Sequence, residues 1–116
     1  MCIRDRDNYY ELVEVMKARL GQLPTFVVGY GHIGDGNLHL NITSNGYSEE
    51  IQKLIEPFAF DWTSNHNGSI SAEHGIGMQK SHYLSHSKSK EAIAMMKKIK
   101  ASFDPKGILN PYKLFQ

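Results

Sequence analysis

Apolar residues recur at a spacing of three and four over 8–20, at Tyr9, Leu12, Val13, Met16 and Leu20, which predicts an amphipathic helix. Gly21 is placed to end it as a left-handed residue just past the last turn. The stretch TFVVGY at 25–30 is β-branched and aromatic and predicts a strand, and LHLNIT at 38–43 alternates apolar and polar as its partner would. Ser48 then stands as the N-cap of a second helix, with Glu49 and Glu50 in the first turn where they complement the helix dipole. Its apolar stripe is Ile51, Leu54, Ile55, Phe58, Ala59 and Trp62, and Pro57 inside that stripe predicts a kink or break near 53–56. Residues 65–77, rich in Gly, Ser and Asn, read as a loop with a short strand around 69–71. A third helix is predicted over 88–103, with Ala92, Met95, Met96, Ile99 and Phe103 on its buried face. Asp104-Pro105-Lys106-Gly107 has the composition of a type I turn, and the tail beyond it has no clear regular element.

This order predicts an α+β fold, a small antiparallel sheet with helices packed on one face. Two strands are too few for an independent sheet. Further strands are therefore expected upstream, and the chain is read as an incomplete fragment.

Composition narrows the function mainly by exclusion. At 116 residues and 41% apolar content the chain suits one small domain or the tail of a larger one. A net charge of +1, with six histidines counted neutral, leaves no electrostatic footprint for nucleic acid. Lys97, Lys98 and Lys100 mark the solvated face of a helix. Cys2 is the single cysteine, which excludes both a disulfide framework and a thiolate zinc site. No apolar run is long enough to cross a membrane. The start, MCIRDRD, has no apolar core for a secretory signal and differs in character from the rest of the chain. Residues 1–6 are expected to be a non-native or truncated start.

Chemistry concentrates in GHIGDGNLHLN at 31–41. A two-residue turn at Asp35-Gly36, a strong hairpin signal, would set Gly34 opposite Asn37, Ile33 opposite Leu38 and His32 opposite His39. One face would then carry Val28, Tyr30, His32, His39, Asn41 and Thr43, and the other Val27, Gly29, Gly31, Ile33, Leu38, Leu40 and Ile42. The second is a core face whose glycines let a helix approach closely. Directly opposed Cβ atoms lie about 4.5–5.5 Å apart, so the two imidazoles could converge on one metal ion. The alternative is two exposed histidines that merely face one another.

A metal site needs a third ligand, and Glu73 in SAEHGIG, beside His74, is the candidate. Against a plain surface turn stand the small residues Ser71, Ala72, Gly75 and Gly77, which leave room for something to bind closely. Two histidines and a carboxylate leave open coordination positions, as a catalytic site requires. His66, His82 and His86 have no comparable geometry and read as surface or loop residues, and Met95-Met96 reads as core filler.

GHIGDGNLHLN, AEHGIG about thirty residues on, and FDPKGILNPYK together resemble the C-terminal part of the FAD-linked oxidases of the vanillyl-alcohol oxidase superfamily, nearest its D-2-hydroxyacid dehydrogenases. The resemblance covers 20–116 with no departure at a motif position, and Tyr112 leans toward the eukaryotic type. It implies a ferredoxin-like cap region, with 7–116 as the C-terminal substrate- and metal-binding part. His32 and His39 match two ligands of a divalent metal, usually zinc, and Glu73 matches its carboxylate ligand. Asn41 matches a residue that hydrogen-bonds substrate, His74 a general base and substrate contact, and Asn110 a segment that passes near the flavin.

The implied reaction oxidises D-2-hydroxyglutarate to 2-oxoglutarate, with D-lactate or glycolate as alternative substrates. FAD would be bound mainly by a domain upstream, and the basic residues that clamp the substrate carboxylates are also expected there. The chain alone is therefore expected to be inactive. The resemblance further implies an electron acceptor such as an electron-transfer flavoprotein, a homodimer, and location in the mitochondrial matrix of a eukaryote or the cytoplasm of a bacterium. Two readings of other classes stay open: a stand-alone zinc module closed by a fourth ligand such as His66 or His74, and a metallohydrolase.

Overall fold

A computed structural model describes residues 8–115, and the expectations for 1–6 and Cys2 lie outside them. The order is α1 (Glu11–Leu20), β1 (Thr25–His32), β2 (Asn37–Ser44), α2 (Glu49–Asn65), a 3-10 helix (Ser81–His86) and α3 (Lys90–Phe103). Among the described residues β1 and β2 form one two-stranded antiparallel sheet, so the fold is α+β as expected. No helix among them is long and apolar enough to cross a membrane.

The stripe of α1 becomes the centre of the core. Leu12, Val13 and Met16 are fully buried, and they pack with Leu20, Val27, Leu38, Ala59 and Trp62 in one cluster. The apolar face of the hairpin thus lies under α1 and α2. Gly29 is what lets α1 come so close. A Cβ there would overlap Val13 Cγ2 and sit 3.0 Å from Leu38 Cδ1. Gly21, by contrast, is not the expected left-handed cap, since its φ of −59° is right-handed. The chain leaves α1 through a turn instead, with Leu23 N donating to Leu20 O at 2.8 Å.

Ser48 caps α2 as expected, its side chain accepting from Ile51 N at 3.4 Å. The expected break at Pro57 does not occur, and α2 runs unbroken through it. Proline removes one backbone hydrogen bond, but Ile55, Phe58, Ala59 and Trp62 are packed on the same core before and after it. Arg19 reinforces the segment, with Nε donating to Leu54 O at 2.9 Å and the guanidinium 4.6 Å from the Phe58 ring centroid. Phe60 turns away from this core and meets Tyr83 at 4.5 Å between ring centroids, which ties the 3-10 helix to α2.

The expected strand at 69–71 reduces to an isolated bridge at Ser69. Ile70 is fully buried there and acts as a peg for the loop. In α3 the capping residue is Ser89, accepting from Ala92 N at 3.2 Å. The expected buried face of α3 is a correction, because α3 buries none of its residues, and Met95, Ile99 and Phe103 are 57%, 53% and 79% exposed. Periodicity identified the stripe, but no described element covers it.

The turn after α3 is held from inside. The buried Asp104 carboxylate accepts from Lys100 Nζ at 2.9 Å, Ile108 N at 2.9 Å and Leu109 N at 3.0 Å. The Lys100 ammonium holds this carboxyl below its ordinary value of 3.8, the two amides add to that, and burial opposes it.

Two outcomes test this packing. Gly29→Ala should destabilise the protein by about 1–3 kcal/mol in chemical denaturation, the usual penalty for overfilling a packed core. An unchanged midpoint would mean that α1 does not rest on this notch. Asp104→Asn should lower the melting temperature at neutral pH. Because the folded carboxyl has the lower pKa, its contribution is complete above the ordinary value of 3.8 and is lost as pH falls through the folded value. The gap between wild type and variant should therefore close on acidification, and a constant gap would contradict this assignment.

Candidate functional site

The hairpin differs from the expected one in its loop. β1 and β2 pair with Tyr30 opposite His39, Gly31 opposite Leu38 and His32 opposite Asn37, so residues 33–36 form a four-residue loop in place of a two-residue turn. Asp35 Oδ1 accepts from Asn37 N at 3.2 Å, a side-chain turn that takes the amide a tighter hairpin would have used in the ladder. Ile33 consequently lies in the loop, 67% exposed, rather than on the core face.

The register shifts by two residues, and two is the period of a strand. Every other assigned side chain therefore stays on its expected face. His32 and His39 become diagonal neighbours in place of opposed ones, with ring centroids 6.0 Å apart. Tyr30 takes the directly opposed place and stacks on His39 at 5.4 Å and 17° between planes. This contact was not anticipated, although Tyr30 stood on the correct face.

Tertiary contacts hold the register. Gly31 has φ of +151°, and a Cβ there would overlap Asn37 O. The Tyr9 hydroxyl donates to that same carbonyl at 2.9 Å, bracing the end of β2 from the residues that precede α1. Burial and the nearby Asp35 carboxylate raise the Tyr9 phenol above its ordinary pKa. Asn37 is buried beside His32, and its Oδ1 has no partner among the described residues. It is a second polar residue that the sequence pattern does not single out.

The loop after α2 carries the other half. Ile70 N donates to Ser87 Oγ at 3.0 Å, which locks the buried peg to the end of the 3-10 helix. A turn with His74 N donating to Ser71 O at 2.9 Å then presents Glu73 and His74 to the hairpin. Gly75 and Gly77 come next at φ of +74° and +58°, with open space where a Cβ would stand. His39 Nε2 lies 3.4 Å from Glu73 Oε1, and His74 Nε2 lies 3.6 Å from the same oxygen. One donor atom from each of His39, Glu73 and His74 falls within 4.8 Å of the other two.

Three of the expected site residues thus converge, and two of them, His39 and His74, line a groove together with Asn41. Its volume is about 310 Å³, and its lining includes His39, Asn41 and His74 with Ile55 and Phe60 of α2, Ile70 and Lys80. Asn41 Nδ2 donates to His39 O at 3.5 Å, a long contact. His32 is exposed beside the cluster rather than within it. Asn110 lies in the tail after α3, at φ of +48°, and does not line the groove. His66 is engaged elsewhere, stacked on Trp62 at 3.8 Å, and His86 pairs with Asp61 at 3.0 Å. Neither is available to close a metal site with His39. Lys80 was missed altogether, because nothing in its local spacing ties it to a strand face 40 residues earlier.

A match to the FAD linked oxidases, C-terminal domain, extends over residues 4–114. The chain belongs to this family. The FAD-linked oxidase domain is 55% identical over 107 residues to the mitochondrial D-2-hydroxyglutarate dehydrogenase of Danio rerio, covering 92% of this chain and 20% of that protein. It is 53% identical to the mitochondrial D-2-hydroxyglutarate dehydrogenase of Arabidopsis thaliana, over 93% of this chain and 19% of that one. With a putative mitochondrial D-lactate dehydrogenase of Schizosaccharomyces pombe it shares 54% identity over 75% of this chain and 16% of the relative. The domain therefore spans about one fifth of the length of such relatives.

Proposed function

We propose that this domain is the substrate- and metal-binding portion of a longer FAD-dependent dehydrogenase that oxidises D-2-hydroxyglutarate to 2-oxoglutarate. The observation behind this reading is the convergence of His39, Glu73 and His74 beside a groove that His39, His74 and Asn41 line. The donor set fits a divalent ion: imidazole nitrogens and a carboxylate oxygen, from two separate elements, close enough to share one centre. His32, His39 and Glu73 would hold the ion, with His32 one diagonal step along the sheet. A divalent ion held there would supply Lewis acidity that favours loss of the substrate's hydroxyl proton. FAD, held mainly by residues outside this chain, supplies the hydride acceptor.

The chain's own groups account for the rest. As the α-hydrogen leaves with its electron pair, the Nε2 atom of His74 takes the hydroxyl proton, so one hydride and one proton depart and a ketone remains. Asn41 Nδ2 gives up its long contact with His39 O and donates to a substrate oxygen. Ile55, Phe60 and Ile70 make that side of the groove apolar and limit water there. A flavin contact by Asn110 rests only on the resemblance of its motif.

D-lactate or glycolate is the alternative substrate, and a relative named a putative D-lactate dehydrogenase lends it support. An electron-transfer flavoprotein as acceptor, a homodimeric assembly and a mitochondrial matrix location are part of the same proposal. The last draws on relatives named mitochondrial. The 116 residues alone are proposed to be inactive.

A second reading has an observation in its favour. His74 stands in the tight donor cluster and His32 does not, so His74 could be the third ligand instead of the base. Metal analysis of the complete protein separates the two. The first reading expects His39→Ala and His32→Ala to lose bound zinc while His74→Asn retains it. Zinc lost from His74→Asn and kept by His32→Ala would favour the second. In the same variants, flavin reduction at saturating D-2-hydroxyglutarate should slow about 10²–10⁴-fold in His74→Asn, the range for loss of a general base. An unchanged reduction rate with weakened affinity would remove His74 from that role.

A further inference from the structure

Among the described residues that line the groove, Lys80 is the one lysine or arginine, and the dehydrogenase reading gives it no task. It is partly buried, and its Nζ reaches one protein acceptor, the Ile70 carbonyl, at 3.4 Å. No carboxylate among the described residues pairs with it, although Glu56 of α2 lines the same groove. An ammonium carries three donors, so at least two here are left for a partner. Partial burial takes away some of its hydration, and an anion in the groove would supply the missing partner.

The position is also a fixed one. Ile70, which holds Nζ, is fully buried and its amide is pinned to Ser87. At the other end, Lys80 leads directly into the 3-10 helix, where Tyr83 N donates to Lys80 O at 3.0 Å. Both ends of this flexible side chain are therefore anchored on structure that is itself packed, which reduces the ordering cost of binding.

We propose that Lys80 binds a carboxylate of the 2-hydroxyacid substrate, as a charge-assisted contact that orients the acid while Asn41 and His74 address its hydroxyl end. This inference rests on the dehydrogenase reading. It places part of the anion recognition within this domain, where the sequence led to the expectation that all of it lay upstream. The partner is defined by chemistry: a small hydroxyacid with one or two carboxylates, one of them reaching the Nζ of Lys80.

The test uses the complete holoprotein, with FAD and metal content measured first to establish that each variant is loaded as wild type is. Steady-state turnover is then compared for wild type, Lys80→Met and Lys80→Arg, with D-2-hydroxyglutarate and with D-lactate. Lys80→Met should raise KM for D-2-hydroxyglutarate about 10- to 100-fold, as loss of a charged hydrogen bond does, with a smaller change in kcat. Lys80→Arg should recover much of the loss. A rise for the diacid alone places Lys80 at the distal carboxylate, and a rise for both acids places it at the carboxylate they share. An unchanged KM, or a fall in kcat alone, overturns the proposal. Should Lys80→Met fail to fold, Lys80→Gln keeps the stem and answers the same question. A wild-type flavin that no 2-hydroxyacid reduces would sink the dehydrogenase reading itself, and the role of Lys80 with it. A responsive wild type matched by an equally responsive Lys80→Met would sink only the latter.

Discussion

The close approach of the Tyr9 hydroxyl to the Asn37 carbonyl, across a glycine that leaves room for it, governs much of what this domain can do. The contact joins residues 28 positions apart and braces the end of β2 against the start of the chain. Gly31 permits it, because any side chain there would collide with the Asn37 carbonyl. With that end held, His32 pairs with Asn37 and Tyr30 with His39, and the polar face of the hairpin is ordered along its length. Gly29, two residues earlier on the same face, performs the complementary service by letting Val13 come down onto the sheet. Alternate glycines thus set how closely the chain packs on the core, and the side chains between them carry the chemistry.

The second element of the site is tethered differently. The loop after α2 has no ladder to hold it and relies on one buried side chain, Ile70, and one side-chain hydrogen bond to Ser87. From that peg it delivers the Glu73 carboxylate to within ion-pair distance of His39, with the His74 imidazole beside the same oxygen. A strand supplies one imidazole, and a pegged loop supplies the carboxylate and the second imidazole that meet it. A site shared in this way forms only when hairpin, α2 and loop have all folded, so assembly of the donor cluster reports on the tertiary structure.

The apolar stripe of α3 is the part of the fold that stays uncovered among the described residues. An amphipathic helix whose stripe stays exposed gains nothing from burying it among the described residues. The turn behind it is nonetheless firmly held, since the Asp104 carboxylate satisfies two backbone amides and the Lys100 ammonium at once. Local hydrogen bonding keeps α3 terminated, while its apolar face has no partner among the described residues.

Local order was legible in the residues themselves. The stripes of α1 and α2, the cap at Ser48, the two strands and the grouping of His32, His39 and Asn41 on one face all follow from periodicity and capping chemistry. The face assignment even survived a wrong loop, because a slip of two residues returns each side chain to the same side. Long-range relations were not legible. The four-residue loop depends on Tyr9 and Asp35, the continuity of α2 through Pro57 on packing either side of it, and the bare face of α3 on which neighbours are present. The hairpin's donors were evident from their pattern and Glu73 and His74 were candidates to join them, but the tertiary structure decided that they cluster with His39 and not His32, and that Lys80 shares a groove with His39 and His74. Periodicity encodes which way a side chain points from its own backbone. Which groups then meet is set by burial and hydrogen bonds between segments far apart in the chain, and no local spacing records those.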